Sequence, residues 1–252
     1  MPETSSPPLP GFWHFLEQGD TVTMLVLAVL VLMSVASWYQ IAAKAWQQWR
    51  VRKAGKHFLD SLAGTRNYQE AEELLARTPP KEPFGRILAQ GMEACQLLRT
   101  PTAHRGFEIT SPDGFIDATL EKSLASEEYA LEKGLSVLAS VGSTAPFVGL
   151  FGTVWGIYHA LLSIGLSGQA SLGQVAGPVG EALIMTACGL AVAIPAVLAY
   201  NAFVRANRNL TGRMESHAHR VFTLLGTGNI PENHAHRVRA LPVPEDKAKR
   251  RA

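Results

Sequence analysis

The chain has 252 residues, 47% of them hydrophobic, with 23 Lys and Arg against 21 Asp and Glu and a net charge of +2. That balance excludes strong whole-protein attraction to nucleic acid, and two cysteines exclude a disulfide framework. The apolar residues are gathered in blocks, and the blocks dictate the architecture.

Residues 1–20 (MPETSSPPLPGFWHFLEQGD) are rich in Pro and Ser, then carry Phe12, Trp13, Phe15 and Leu16, an aromatic cluster suited to a membrane interface. Glu3, Glu17 and Asp20 without any Lys or Arg give this segment the wrong charge for the n-region of a cleaved signal peptide. Residues 21–43 follow with no charge, long enough at about 1.5 Å per helical residue to cross about 30 Å of hydrocarbon, and are read as the first transmembrane helix. Lys44, Arg50, Arg52, Lys53 and Lys56 come next, interleaved with Trp46 and Trp49 and preceded by Trp38 and Tyr39. Such a basic and aromatic belt marks a cytoplasmic boundary, which places the N-terminus outside and gives the basic residues lipid-surface contacts.

Residues 44–133 form the one sizeable soluble segment, with apolar residues three and four apart as in helices, and with no alternating strand pattern. Thr78, Pro79, Pro80 and Pro83 separate one helix from the next. The last amphipathic stretch, from about Asp113, meets no breaker before Gly134. Cys95 lies in this segment and Cys188 in a later apolar helix, so neither a disulfide between them nor a metal site is expected.

From there to Arg205 the only Asp, Glu, Lys or Arg is Glu181. This run is too long for one crossing and is interrupted by Ser167, Gly168, Gln169, Ser171, Gly173 and Gln174, so it divides into spans at 134–166 and 175–204 with an outer loop at 167–174. Residues 205–252 begin with Arg205, Arg208 and Arg213, continue as helix to about Leu225, and end in a polar tail whose composition predicts disorder. The pattern predicts an all-α polytopic membrane protein with three transmembrane helices, the second and third extending into a helical cytoplasmic region, and no internal repeat.

Glu181 is the leading functional candidate, because a charge at a bilayer centre costs about 2.5–3.5 kcal/mol and is tolerated only for a reason. The bland alternative makes Pro178 the first helical residue and Glu181 a first-turn acid complementing the helix dipole. In the second span Gly142, Pro146, Gly149, Thr153, Gly156, Ala160 and Ser163 recur three or four apart, and Gly152 with Gly156 also fits the small-xxx-small pattern of close helix approach. Helix packing through Gly149, Gly152 and Gly156 accounts for that stripe. Thr153, the hydroxyl in its middle, adds a group that can donate and accept along a proton path. Thr186 is about 140° round the third helix from Glu181, on a second small face with Ala182, Gly189 and Ala193, and its hydroxyl bonds either its own helix or a pathway. His159 beside Tyr158 reads as an ordinary interfacial histidine, and His217, His219, His234 and His236 are spaced too loosely to point to a metal. With no nucleophile elbow, phosphate loop or paired carboxylates, the chain offers nothing for enzymatic catalysis and calls for no cofactor.

The segments LASVGSTAPFVGLFGTVWGI (138–157) and AGPVGEALIMTACGLAVAIPAVLAYN (176–201) resemble the ExbB/TolQ/MotA proton-channel family, with wording nearest its ExbB branch. The resemblance implies a homopentamer of three-helix subunits in the bacterial inner membrane. Its second and third helices would enclose the helices of an ExbD-like partner, and proton-motive force would be passed on to a TonB-like protein. It implies a proton pathway formed by Glu181, Thr153 in GTVWG, and Thr186, with an essential aspartate supplied by the partner. A TolQ-like subunit of the Tol-Pal envelope system, a flagellar stator and a non-conducting scaffold are the competing readings.

Overall fold

In hydrocarbon every backbone N–H and C=O must be satisfied within the protein, so long apolar runs of this kind fold as helices. The computed structural model describes residues 20–65, 67–77, 80–99, 111–167 and 172–227. Among them there is no strand, and six α-helices follow in order: α1 (Thr21–Ala63), α2 (Tyr68–Arg77), α3 (Pro83–Arg99), α4 (Pro112–Glu132), α5 (Leu135–Ser167) and α6 (Leu172–Thr227). The segment before Asp20, the middle of the loop expected at 167–174, and the tail beyond Thr227 lie outside the described residues. Stretches within α1, within α4 and α5, and within α6 are each long and apolar enough to cross a membrane. The protein is an all-α polytopic membrane protein.

The chain divides into two compact units, one of residues 1–52 and 128–211, the other of 53–127 and 212–252. In the first, α1, α5 and α6 pack round Val26, Leu30, Leu138, Val141, Ala145, Met185, Ala193 and Ala196. The side chains turned away from this seam are as apolar as those within it: Leu32 is 69% exposed, Phe147 70% and Leu198 65%. A water-soluble surface does not carry so much contiguous apolar area, whereas lipid or partner helices cover it without cost.

Where α4 gives way to α5, Gly134 adopts φ +88°, a left-handed conformation that favours glycine and ends the helix. The break leaves the last carbonyls of α4 without intrahelical donors. Side chains from two other helices supply them: Lys44 Nζ donates to the Leu131 carbonyl (3.0 Å), Gln47 Nε2 to that of Ala130 (3.3 Å) and Asn207 Nδ2 to Leu131 (3.0 Å). Gln48 Nε2 holds Asn207 in place through its Oδ1 at 3.0 Å. Lys44 is thus a buried cap on a helix C-terminus, where its charge meets the negative end of the dipole, as well as part of the basic belt. A Cβ on Gly134 would lie 2.9 Å from Gln40 Oε1 and would force a side chain into the left-handed region. Gly134→Ala is therefore expected to cost about 1–2 kcal/mol, read as a lower midpoint of thermal unfolding.

In the second unit, α3 starts at Pro83, whose missing N–H suits a first helical turn. Buried Glu82 caps it, accepting from the amides of Phe84 (2.8 Å) and Gly85 (2.6 Å). Burial raises the Glu82 carboxyl above its ordinary pKa, against those two amides, which lower it. Arg86 forks onto both carboxylate oxygens of Glu127 and so ties α3 to α4. Ile87, Leu88, Met92 and Cys95 bury one face of α3, and Gly91 admits Leu120, Val221 and Leu225 to within about a Cβ's contact distance.

His217, on α6, is fully buried in this unit between Phe58 and Phe84, with ring centroids 6.4 and 5.5 Å away. Its Nε2 lies 2.9 Å from the Phe84 carbonyl, which can only accept, so Nε2 carries the proton and buried Nδ1 keeps a bare lone pair. Burial lowers its pKa from 6.5 to about 4. The unfolded chain therefore binds a proton near pH 6.5 that the native chain refuses until about pH 4. The stability of this unit should fall by about 3 kcal/mol as pH drops through that window. Glu82, with its raised pKa, works in the opposite sense, since its penalty is relieved as acid protonates it. Urea titrations at a series of pH values should show a flatter acid limb in His217→Gln than in the parent, Glu82 being common to both.

Candidate functional site

The close approach of α5 and α6 follows from their small residues. A Cβ on Gly149 would lie 2.6 Å from the Met185 carbonyl oxygen and 3.0 Å from Gly189 Cα. One on Gly189 would lie 2.7 Å from the Ala145 carbonyl. Gly156 faces Ala182, Gly142 faces Val197, and Gly152 sits between Met185 and the Val26 side chain of α1. The two helices meet backbone to backbone along the stripe.

Thr153 and Thr186 face one another across this contact. The Thr153 Oγ1, on a residue only 6% exposed, hydrogen-bonds the Thr186 Oγ1 and also lies 3.0 Å from the Ala182 carbonyl and 3.2 Å from that of Gly149 in its own helix. A single hydroxyl proton serves these neighbours, so Thr153 holds a choice of acceptors and Thr186 a choice of donor or acceptor role. Such a pair can pass a proton on or turn to meet a polar group brought by a partner. Thr186, expected to bond either its own helix or a pathway, meets the Thr153 hydroxyl on α5; it is Thr153 that also lies near a carbonyl of its own helix.

Glu181 stands immediately before Ala182 on α6, about two and a half turns after Leu172. The helix begins ahead of Pro178, so the alternative that made Glu181 a first-turn acid is not realised. Its side chain lies outside the described residues, as do those of Ser163 and Pro178. The three pathway candidates thus share one helix pair, with the two hydroxyls in contact and the carboxylate's backbone beside the Ala182 carbonyl that Thr153 touches.

A second polar group sits toward the start of α1. The Asp20 carboxylate accepts from the Trp155 indole N–H at 3.0 Å and lies 3.6 Å from His159 Nε2. Sequence reading gave His159 an interfacial place and assigned Asp20 only to a charge count. Their meeting depends on the register of α1 against α5, which neither residue's neighbours encode. His217, grouped with loosely spaced histidines, belongs to the core of the other unit; its signal was the apolar spacing of Leu210, Met214, Val221 and Leu224 around it.

Comparison with known proteins gives concordant results. The sequence description of a MotA/TolQ/ExbB proton channel family matches residues 80–216. The chain is similar to a biopolymer transport protein ExbB of Xanthomonas campestris pv. campestris (strain B100), 40% identical over 228 residues that cover 87% of this chain and 90% of that protein. An ExbB of Neisseria meningitidis serogroup A is 37% identical over 203 residues, 81% of this chain and 91% of that one. A Tol-Pal system protein TolQ of Pseudomonas aeruginosa is 34% identical over 214 residues, covering 81% and 87%.

Proposed function

The chain belongs to the MotA/TolQ/ExbB proton channel family, and from that premise we propose that it is the channel and stator subunit of a TonB-type complex. In this reading it couples the proton-motive force of the bacterial inner membrane to import across the outer membrane. The observation that carries the proposal is the Thr153–Thr186 hydroxyl pair, part-buried where α5 meets α6, with Glu181 on the adjoining turn of α6. Glu181 is the only charged side chain type between Lys133 and Arg205.

One carboxylate and two hydroxyls do not make an unbroken relay through about 30 Å of hydrocarbon, so a partner must contribute a titratable group. An ExbD-like protein, its helix enclosed by α5 and α6 of five subunits, would bring an aspartate beside Thr153 and Thr186. A proton from the periplasm neutralises that aspartate, the neutral side chain moves through the apolar passage, and the proton leaves toward the cytoplasm. The hydroxyl pair re-aims its donors to suit the charged or neutral carboxyl, while Glu181 holds or tunes the site. Each proton crossing 100 mV releases about 2.3 kcal/mol, enough over a few protons to shift helix contacts. The N-terminus is periplasmic and the C-terminus cytoplasmic, on the strength of the basic residues that follow the first and third spans.

A TolQ-like role in the Tol-Pal system is the second reading, favoured by the 34% identity to the Pseudomonas TolQ. Co-expression with tagged partners separates the two. The proposal expects an ExbD-like protein to co-purify and the pair to admit protons into proteoliposomes under an imposed potential. Retention of a TolR-like protein instead selects the second reading, and assembly with no proton flux selects a scaffold.

A further inference from the structure

Asp20 closes the start of α1: its carbonyl accepts the first helical bond, from the Met24 amide at 3.0 Å, and its carboxylate reaches across to α5. There Phe151, Trp155 and His159 stand one turn apart as a ladder of rings, with centroids 6.4 Å apart for the first pair and 5.2 Å for the second. Trp155 and His159 both present a ring nitrogen to the same carboxylate, at 3.0 and 3.6 Å. The indole nitrogen is always a donor; the imidazole Nε2 is an assured donor only when the ring is protonated. The His159 and Asp20 side chains are 44% and 41% exposed. His159 is about 240° round α5 from Thr153 and meets the start of α1 through Asp20. The pair is therefore placed to govern the α1–α5 seam, not to extend the hydroxyl path.

We propose that Asp20 and His159 form a protonation-dependent latch that fastens the start of α1 to α5 when the medium on that side of the membrane turns acid. The described contacts of His159 are with Asp20 at the start of α1 and, on its own helix, with the rings of Trp155 at 5.2 Å and Tyr158 at 5.9 Å. Hydrogen bonding from Trp155 holds the Asp20 carboxyl below the usual carboxylate range, so it stays an anion while His159 gains its proton. Protonation converts a contact between the carboxylate and a neutral ring into an ion pair, and tightens the seam where Gly152 of α5 meets Val26 of α1. The inference rests on the proposed orientation only for naming the periplasm as the acid side; the latch itself does not.

The test is thermal unfolding of the full chain in lipid nanodiscs at about pH 5.5 and about pH 8, a span over which imidazole side chains in general change charge. Comparison within one pH series removes the acid loss due to His217. Relative to His159→Gln and to Asp20→Asn, the parent should gain about 1–3 °C on acidification, the scale of a half-exposed ion pair. The double variant should add nothing to either single one. His159→Arg, permanently charged, should show the acid-state gain at both pH values. Identical pH dependence in the parent and His159→Gln, or a His159→Arg chain no more stable than His159→Gln at pH 8, overturns the proposal. Neither outcome bears on proton conduction, which is measured separately.

Discussion

Thr153→Val and Glu181→Ala should each reduce proton-driven uptake by ten-fold or more in cells, while subunit insertion and partner binding persist. The argument for Thr153 separates function from stability. Valine keeps the shape of the side chain but removes the hydroxyl that meets Thr186 and the carbonyls of Ala182 and Gly149. Hydrogen bonds between membrane helices are worth about 0.6 kcal/mol on average, and both carbonyls lie within helices where backbone donors serve them, so the fold loses little. The proposed pathway loses one of the two hydroxyls at the α5–α6 contact and leaves Thr186 without its partner across it. Thr153→Ser should keep most activity, because it restores the hydroxyl at the same place. For Glu181 the corresponding contrast is Glu181→Gln against Glu181→Ala. If the carboxylate carries or tunes charge, both fail; if it only bonds the interface, Gln survives. Full uptake in both Thr153→Val and Glu181→Ala, with assembly intact, would reduce the chain to a scaffold.

How much of this was legible in the sequence differs by element. The three apolar stretches and the helical soluble segment follow from run length and from spacing of three and four, which are local properties. Gly134 as the end of α4 was equally local, because only a positive φ and a helix terminus need that residue there. The stripe of Gly142, Gly149, Gly152 and Gly156 announced a close approach on α5 but not its register, and it is register that sets Thr153 against Thr186 rather than one turn away. The same limit hid Asp20 with His159, and Lys44 with Leu131, since each pair joins helices far apart in the chain. Lys44 shows the difficulty well. Its position just after an apolar run fits a boundary marker, and only the packing of α4 reveals that its ammonium is buried as a cap. Glu181 is the reverse case: its isolation is plain in the sequence, while its side chain lies outside the described residues.

Gly149→Ala and Gly189→Ala are expected to be the most damaging single-methyl changes in the membrane unit. In each, the added carbon meets backbone: the Met185 carbonyl at 2.6 Å and Gly189 Cα at 3.0 Å for the first, the Ala145 carbonyl at 2.7 Å and Gly149 Cα at 3.0 Å for the second. A side chain in the way can change rotamer; two packed helix backbones can only separate. Restoring ordinary contact requires them to part by most of an ångström, at a cost of about 1–3 kcal/mol or more from lost packing along the whole stripe. Helix propensity pulls the other way, since Ala is favoured over Gly by up to about 1 kcal/mol in a helix interior, so the steric penalty must exceed that to show. Gly212, also in α6 but with no atom within 4 Å of its would-be Cβ, isolates the propensity effect, and Gly212→Ala should be neutral or slightly stabilising. The displacement has a functional signature too, because Thr153 lies one turn beyond Gly149 and Thr186 three residues before Gly189. Parting the helices there stretches the 3.0 Å contact of Thr153 with the Ala182 carbonyl and the hydroxyl pair with it. Lower thermal midpoints for Gly149→Ala and Gly189→Ala with a matching fall in proton flux would fit one cause. A Gly149→Ala chain as stable and conductive as Gly212→Ala would mean that the α5–α6 contact is looser than these distances describe.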